Sequence, residues 1–178
     1  MKDPKLARRY AQALYSAAVQ MGEVEAVMEA VRDILVPLLD DPQFRLFWLS
    51  GFVPAPRQRE LVDEAFKDVP ASLRHFLKLL IEKRREGILA EVVPMLGSIH
   101  DEATDVVRAT LTTALELNDE EAKPFEVMLK KRLGGGTIVL TRRVDPSLIG
   151  GFRLRYGDKV IDGSIARSID EIERRLTA

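Results

Sequence analysis

The chain of 178 residues contains no cysteine and only two histidines, His75 and His100. The absence of cysteine excludes disulfide bonds, thiolate nucleophiles and zinc–thiolate sites. The two histidines form no paired metal-binding motif of the HExxH kind, so we interpret both as ordinary surface or boundary side chains. The sequence therefore predicts a protein without a cofactor, a metal site or a catalytic centre.

Long apolar runs and an excess of positive charge are missing as well. No stretch approaches the roughly 18 apolar residues that a membrane span needs, and the N-terminus lacks the apolar core of a signal peptide. The formal net charge is -1, from 27 basic and 28 acidic residues, whereas proteins held to nucleic acid through phosphates are usually clearly basic. We therefore expect no direct membrane insertion and no nucleic-acid partner.

The first part of the chain shows helical periodicity throughout. Apolar residues recur three and four positions apart in six stretches, which glycines and prolines separate. The first stretch, Leu6–Met21, ends at Gly22, and the second begins at Glu23 and contains Pro37, which should kink or end the helix. The pattern predicts a bundle of six helices over residues 1–105.

Beyond residue 105 the apolar period changes from helical to alternating. Val107–Leu117 alternates as a half-buried strand does, and Asn118 with Glu121 three residues later indicates a capped helix start. Gly157-Asp158 is typical of a hairpin turn. Further strands are expected at Thr137–Val144, Phe152–Tyr156 and Lys159–Ile161, and a closing helix with an apolar stripe of Ile165, Ile169, Ile172 and Leu176 that should pack onto the sheet.

The fold class is therefore α+β. An N-terminal six-helix bundle, residues 1–105, precedes a small C-terminal β-α-β-β-β-α unit, residues 106–178. Gly134-Gly135-Gly136 does not form a phosphate-binding loop, because the Lys-Ser/Thr pair is missing and the glycines precede a strand. Asp158 and Asp162 have the turn and helix-start positions at which aspartate serves the backbone.

Basic clusters have two possible interpretations. Lys83–Arg85 and Lys130–Arg132 stand at predicted helix C-termini, where the helix dipole favours positive charge. Arg142-Arg143 lies within a predicted strand. Local stabilisation is the favoured reading of these clusters, and contact with an acidic partner is the alternative.

Three segments resemble one protein family. The opening ARRYAQALYSAA, Ala7 to Ala18, resembles the first helix of the delta subunit of bacterial F-type ATP synthase, the counterpart of the mitochondrial oligomycin-sensitivity-conferring protein. FLKLLIEKRREGIL, Phe76 to Leu89, resembles the family's fifth-helix motif, and DPSLIGGFRLRYGDKVIDGSI, Asp145 to Ile165, resembles its C-terminal signature. The glycine run at residues 134–136 departs from the family pattern by its richness in glycine.

The resemblance implies a non-catalytic stator subunit. In that family the helical unit receives the N-terminal helices of alpha subunits, and the C-terminal unit holds b-type peripheral stalk subunits, around Gly150 to Ile165 and the final helix. The resemblance also implies a peripheral location on the cytoplasmic side of the bacterial plasma membrane. The implied groove for the alpha subunit lies between the first and fifth helices, at Tyr10, Ala11, Leu14, Tyr15, Phe76, Leu77, Leu79 and Leu80.

This interpretation predicts that Tyr10→Asp or Leu14→Asp weakens binding of an alpha-subunit peptide in a domain that stays folded. Two other hypotheses come from different functional classes. One is an RNA-binding helical module of a transcription complex, which the balanced charge disfavours. The other is a small enzyme with an unrecognised site, which the absence of a nucleotide motif disfavours.

Overall fold

The protein is described by a computed structural model that covers residues 3–49, 51 and 53–177, with the backbone alone at 170, 173 and 175–177. The chain divides into two compact units, one reaching to His100 and the other starting at Asp101. The sequence pattern had placed the division at residue 105. The two units are considered separately below.

The first unit is entirely helical across its described residues. Seven α-helical segments occur there: α1 (Pro4–Met21), α2 (Val24–Ala30), α3 (Val36–Asp40), α4 (Pro42–Leu49), α5 (Ala55–Ala65), α6 (Ala71–Glu82) and α7 (Leu89–Ala103). The predicted fifth and sixth helices correspond to α6 and α7. The expected count of six does not hold as stated, because the predicted second helix is present as two α-helical segments.

A π-helical segment, Val31–Leu35, joins α2 to α3 without a break in the helical backbone. Pro37 has no N–H to bond the carbonyl of Asp33, and its ring would crowd that carbonyl in a regular α-helix. The wider turn just before the proline, in which the Val36 N–H donates to the Val31 carbonyl, relieves this conflict. Pro37 therefore alters the helix instead of ending it.

Packing of α1 against α6 lies at the centre of the first core. α1 contributes mainly small buried side chains, Ala7, Ala11 and Ala18, which allow a neighbouring helix to approach closely. α6 contributes the larger Leu77 and Leu80, both with no exposed surface. Burial of this size stabilises by roughly 1.5–3 kcal/mol for each large apolar side chain.

Three polar contacts connect separate segments of the first unit. The Glu23 Oε2 accepts hydrogen bonds from the Ser72 N–H at 3.0 Å and the Ser72 Oγ at 2.6 Å, which caps the start of α6. The Trp48 Nε1 donates to the Glu86 carbonyl at 2.9 Å. The buried Gln58 donates to the Trp48 carbonyl at 3.3 Å. Each bond satisfies a group that helix termini leave unpaired or that burial removes from water.

The second unit contains a four-stranded sheet in the order β2-β1-β3-β4. Its elements are β1 (Val106–Thr113), α8 (Asp119–Leu133), β2 (Thr137–Val144), β3 (Gly151–Tyr156), β4 (Lys159–Ser164) and α9 (Ile165–Thr177). β1 and β2 are parallel and are connected through α8, while the β1–β3 and β3–β4 pairs are antiparallel. The protein therefore has an α+β fold, mostly helical, with a four-stranded sheet near the C-terminus.

The first strand is shorter than its sequence pattern. β1 ends at Thr113, whose hydroxyl donates to the Leu115 carbonyl at 2.7 Å and turns the chain away from the sheet. Leu115 is 77% exposed, so the expected strand over Val107–Leu117 is wrong in its last four positions. The following capping box is confirmed, since Asn118 and Glu121 each accept a hydrogen bond from the other's backbone N–H, at 3.0 and 2.9 Å.

Only one face of the sheet is covered by α8. Leu111 of β1, Leu154 of β3 and Leu129 of α8 meet there without exposed surface. Phe125 of α8 packs edge-on against Phe152, with ring centroids 4.8 Å apart. This single sheet–helix layer is the core of the second unit.

The isoleucine stripe of α9 does not pack onto the sheet, which corrects the sequence-based expectation. Ile165, Ile169 and Ile172 are 48%, 49% and 59% exposed, and Leu176 lies outside the side chains that the structure describes. An amphipathic pattern shows that a helix has an apolar face. The pattern does not show whether the surface that covers this face belongs to the same chain.

Asp162 holds the junction between β4 and α9. Its Oδ1 accepts from the Ser164 N–H at 3.0 Å and the Ser164 Oγ at 2.7 Å, and its Oδ2 accepts from the Arg153 Nε at 2.9 Å. Ser164 in turn accepts from the Arg167 N–H at 3.3 Å, in the manner of a helix N-cap. Asp162 therefore orders the start of α9.

We expect Asp162→Ala to lower the stability of the second unit by about 2 kcal/mol, because three hydrogen bonds to a carboxylate are lost. Urea unfolding followed by far-UV circular dichroism measures this change. Trp48 is the single tryptophan of the chain and lies in the first unit, so its fluorescence transition should stay unchanged. Asp158→Ala, in the exposed hairpin turn, is the matched control and should have little effect.

The stabilisation by Asp162 should also depend on pH. The hydrogen bond from the Ser164 hydroxyl, followed by the Ser164 N–H and Arg153, lowers the pKa of Asp162 to about 2. Because this folded-state pKa lies below the unfolded value of about 3.9, the stabilisation is fully present above about pH 4 and disappears as the pH falls towards 2. The difference in unfolding free energy between wild type and Asp162→Ala should shrink over that interval, and a constant difference would contradict the assignment.

Candidate docking surfaces

Five of the eight residues predicted to line a groove between α1 and α6 are buried inside the first unit. Their exposure does not exceed 5%, and all belong to its core. They therefore hold α1 and α6 together, whatever else they contact. These residues are Ala11, Leu14, Phe76, Leu77 and Leu80.

The remaining three predicted residues reach the surface. Tyr10 and Tyr15 are half-buried, and Leu79 is 37% exposed on the outer side of α6. The Tyr10 ring packs edge-on against Phe76 with centroids 6.4 Å apart, and the Tyr15 ring does the same against His100 at 6.0 Å. Each tyrosine thus packs against the core and leaves part of its surface exposed.

The burial of Leu14 changes one of the tests that the sequence suggested. Leu14 is only 2% exposed, so Leu14→Asp would place a charge in the apolar core at a large energetic cost. We expect that variant to lose its fold, which makes it unsuitable for measuring partner binding. Leu79, which lies off the buried stripe of α6, can be changed without disturbing the core.

A shallow cavity of about 550 Å³ surrounds Leu79 between α5 and α6. Its rim is charged: the Lys78 Nζ lies 2.8 Å from the Asp63 Oδ1, and this contact lowers the pKa of Asp63. His75 and Arg59 also line the cavity. An apolar anchor inside a polar rim is the arrangement by which a surface receives one face of an amphipathic helix.

The contribution of α5 to this cavity was not anticipated. Pro56, Arg59 and Glu60 belong to a helix whose pattern indicates only an ordinary amphipathic segment. Pairing of α5 with α6 is a tertiary contact between two separate segments, and no local signal in the sequence specifies it. This cavity is therefore a different place from the groove predicted between the first and fifth helices, with which it shares only Leu79.

A second, apolar surface occurs in the C-terminal unit. Besides the three isoleucines of α9, Ile149 is 65% exposed and has a positive backbone φ of 64°. A β-branched residue rarely adopts this conformation, and such strain is retained only where the surroundings impose it. The Ile165 N–H donates to the Gly150 carbonyl at 3.0 Å, which ties the start of α9 to the segment that carries Ile149.

Gly150 and Gly151 make this connection possible. A Cβ at Gly150 would approach the Ile165 Cδ1 to 2.6 Å, and a Cβ at Gly151, which has a φ of 76°, would collide with the Gly163 carbonyl. Glycine is therefore required at Gly151 by backbone contact and conformation. At Gly150 a larger residue would displace the end of the Ile165 side chain. Ile149 stands just before the region that the sequence resemblance had assigned to stalk binding.

Within the described part of the chain, no group of three His, Cys, Asp or Glu residues is placed to hold a metal ion. Over the same residues, no helix has the length and apolar character required to cross a membrane. The accessible features are instead apolar positions with charged surroundings.

Comparison with known proteins assigns the class and then the family. A helical unit followed by a small α/β unit is the fold of a chain in the Toxoplasma gondii mitochondrial ATP synthase hexamer, with a TM-score of 0.63, 22% identity and coverage of 97% of this chain and 98% of that one. At this level of identity, the similarity shows a shared two-unit fold. The family model described as "ATP synthase delta (OSCP) subunit" matches residues 6–176, and the chain belongs to that family.

Bacterial relatives are similar in sequence to this chain over almost its whole length. The ATP synthase subunit delta of Desulforamulus reducens is 35% identical over 96% of this chain and 94% of the relative. That of Moorella thermoacetica is 30% identical over 99% and 98%, and that of Prochlorococcus marinus strain MIT 9515 is 32% identical over 94% of each. The recognition made from the sequence motifs is confirmed, and the chain is a subunit of the F-type ATP synthase that takes part in ATP synthesis and ion transport.

The division of the predicted groove into core and surface can be tested on α6. Leu77→Ala should lower the unfolding free energy by about 2–5 kcal/mol, because a large side chain is removed from a fully buried site. Leu79→Ala, two positions away on the same helix, should cost less than about 1 kcal/mol. Urea unfolding monitored by Trp48 fluorescence measures both values, and equal losses would contradict the assignment of Leu79 to the surface.

Proposed function

We propose that this subunit is a non-catalytic stator component that joins the top of the catalytic head to the peripheral stalk. The first unit receives the N-terminal helices of alpha subunits, and the second unit holds b-type stalk subunits. The link prevents the head from turning with the rotor, so that rotary torque drives ATP synthesis. Through the complex, the subunit is peripheral to the cytoplasmic side of a bacterial plasma membrane.

The uncovered isoleucine face of α9 is the observation that carries this proposal. Three isoleucines in helical spacing leave a continuous apolar stripe in water, and Ile149 is exposed beside the start of the same helix. An amphipathic helix whose apolar side is not covered by its own chain is suited to packing against another helix. In a family of ATP synthase subunits, a helical stalk subunit is the corresponding partner.

The head-side contact is supported by the accessible part of the α1–α6 region. Tyr10, Tyr15 and Leu79 provide apolar contact area, while the charged rim around Leu79 can select the orientation of a bound helix. The five buried members of the predicted groove keep α1 and α6 in register beneath these anchors. Their contribution to binding is therefore indirect.

The two contacts should be separable by single substitutions. Leu79→Asp is expected to weaken binding of an alpha-subunit N-terminal peptide by about tenfold or more, because a charge replaces a partly buried apolar anchor. Ile169→Asp should weaken binding of the b-type stalk subunit by a similar factor for the same reason. Isothermal titration calorimetry of the full chain measures each affinity.

Each variant serves as the control for the other surface. Leu79→Asp should bind the stalk subunit normally, and Ile169→Asp should bind the alpha peptide normally, with unchanged far-UV circular dichroism in both. Wild-type affinity of Leu79→Asp for the alpha peptide would reject the head-side surface. Wild-type affinity of Ile169→Asp for the stalk subunit would reject the stalk-side surface.

A further inference from the structure

The outer edge of β2 presents backbone groups that form no hydrogen bond within the described part of the chain. β2 lies at one end of the sheet and pairs with β1 alone. The Thr137 N–H donates to the Asp105 carbonyl at 2.9 Å, and the Asp145 N–H donates to the Thr113 carbonyl at 2.8 Å. Because the backbone groups of a strand point alternately to its two sides, the odd-numbered residues of β2 bond β1 and the even-numbered residues point outward. We call these outward residues the β2 edge: Ile138, Leu140, Arg142 and Val144.

The apolar side chains of β2 are incompletely covered at this edge. Ile138 and Leu140 pack against the core of the second unit but are only half-buried. Ala109, which lies opposite Leu140 on β1, is 3% exposed. Val139 points to the other face of the sheet and is 39% exposed, and Val144 is 53% exposed. A strand placed beside β2 would therefore find apolar contacts on both faces of the sheet.

The other edge of the sheet, β4, is already blocked. β4 has six residues, whereas β2 has eight. The Ser164 N–H of β4 donates to the Asp162 Oδ1 at 3.0 Å, and α9 begins at the next residue. A side chain that bonds its own backbone in this way competes with the addition of a strand. Among the described residues, no side chain bonds the backbone of the β2 edge.

Two adjacent arginines at the end of β2 point to opposite faces of the sheet. The Arg142 guanidinium is held beside α8, where it donates to the Leu117 carbonyl at 3.1 Å and pairs with the Asp119 Oδ1 at 2.8 Å. Arg143 is exposed and, over the residues that the structure describes, pairs with no carboxylate. A guanidinium without a carboxylate beside an open edge favours a strand that supplies one.

We propose that the β2 edge is extended by a β-strand from another chain of the assembled ATP synthase. The added strand bonds the outward N–H and carbonyl groups, its apolar side chains lie beside Val139 and Leu140, and a carboxylate lies beside Arg143. In strand addition the backbone bonds supply affinity and the alternating side chains supply specificity. The β2 edge is separate from the isoleucine face of α9 and from Leu79, so the inference goes beyond the function proposed above.

A second copy of this chain fits the edge less well. The sequence of β2, TIVLTRRV, contains no acidic residue. Antiparallel pairing of two β2 strands would satisfy the backbone groups, but it would bring two further arginines to the edge and no carboxylate for Arg143. The charge of the edge therefore favours a strand of different sequence.

The alternation of bonded and outward amides allows a direct test by hydrogen–deuterium exchange. In the free subunit, the Leu140 amide should exchange at least about tenfold faster than those of Val139 and Thr141, because only the latter two bond β1. In purified ATP synthase, exchange at Leu140 should slow by at least about tenfold, because the added strand accepts its N–H. The Val160 amide, which points outward on β4, should exchange at similar rates in both states. Mass spectrometry with fragmentation to single residues measures these rates.

Proline substitutions distinguish the two sides of β2. Arg142→Pro removes an outward N–H and leaves the bonds to β1 intact, which an edge strand tolerates. In ATP synthase assembled with this variant, the protection of Leu140 should be lost. Arg142→Ala removes the same guanidinium but keeps the N–H, so the protection should remain. Thr141→Pro removes an N–H that bonds β1 and should reduce the far-UV circular dichroism of the free subunit, whereas both Arg142 variants should retain it.

The added strand can be identified by crosslinking. Because the chain has no cysteine, Val139→Cys provides a single thiol for a photoactivatable crosslinker in the assembled enzyme. We expect the crosslinked segment to belong to another subunit, to alternate apolar residues with others, and to contain an aspartate or glutamate. Arg143→Glu should lower the crosslinking yield by about tenfold, because it places a second negative charge beside that carboxylate.

Several outcomes would overturn the inference. These are unchanged exchange at Leu140 on assembly, equal slowing at Val160, equal protection in the Arg142→Pro and Arg142→Ala enzymes, and a crosslinked segment without an acidic residue. A crosslink to a second copy of this chain would assign the edge to self-association instead. The titrations of the head and stalk contacts use other variants, so failure of those contacts is distinguishable from failure of strand addition.

Discussion

Close packing of α1 against α6 is the contact on which the first unit depends. The alanines of α1 let the helices approach, and Leu77 and Leu80 fill the space that this approach creates. Capping of α6 by Glu23, from the turn after α1, fixes the ends of the same two helices. The consequence for function is that the centre of the predicted groove is occupied by the unit's own side chains, and a partner can reach only its edges.

The second unit differs from the first, because its small core leaves part of its apolar surface exposed. One helix packs on one face of a four-stranded sheet, which leaves the other face and the isoleucine side of α9 exposed to water. Small units of this kind gain only modest stability from a single layer. Burial of these surfaces would therefore stabilise the unit.

Local features of the second unit were predictable because they depend on few neighbouring residues. The bounds of β2 agree with the prediction, as do the Gly157-Asp158 turn and the capping box at Asn118, since each is set by strand alternation, turn chemistry or a cap. β1 ended early because the Thr113 hydroxyl bonds the Leu115 carbonyl. The π-helical segment before Pro37 was not predicted. A proline in a helical pattern indicates a kink or an end of the helix, but it does not specify that the preceding turn widens.

The sequence by itself determined the family, the α+β class and the absence of cysteine chemistry, because these reside in motifs, periodicity and composition. Only the tertiary structure decided which apolar residues are core and which are surface. Leu77 and Leu79 illustrate the difference: both are leucines of α6, yet one has no exposed surface and the other is 37% exposed. Likewise, the stripe of α9 has the pattern of a core helix, but its isoleucines are about half exposed. Periodicity shows that a helix or strand has an apolar face. The positions of the neighbouring elements decide whether that face is buried by the same chain.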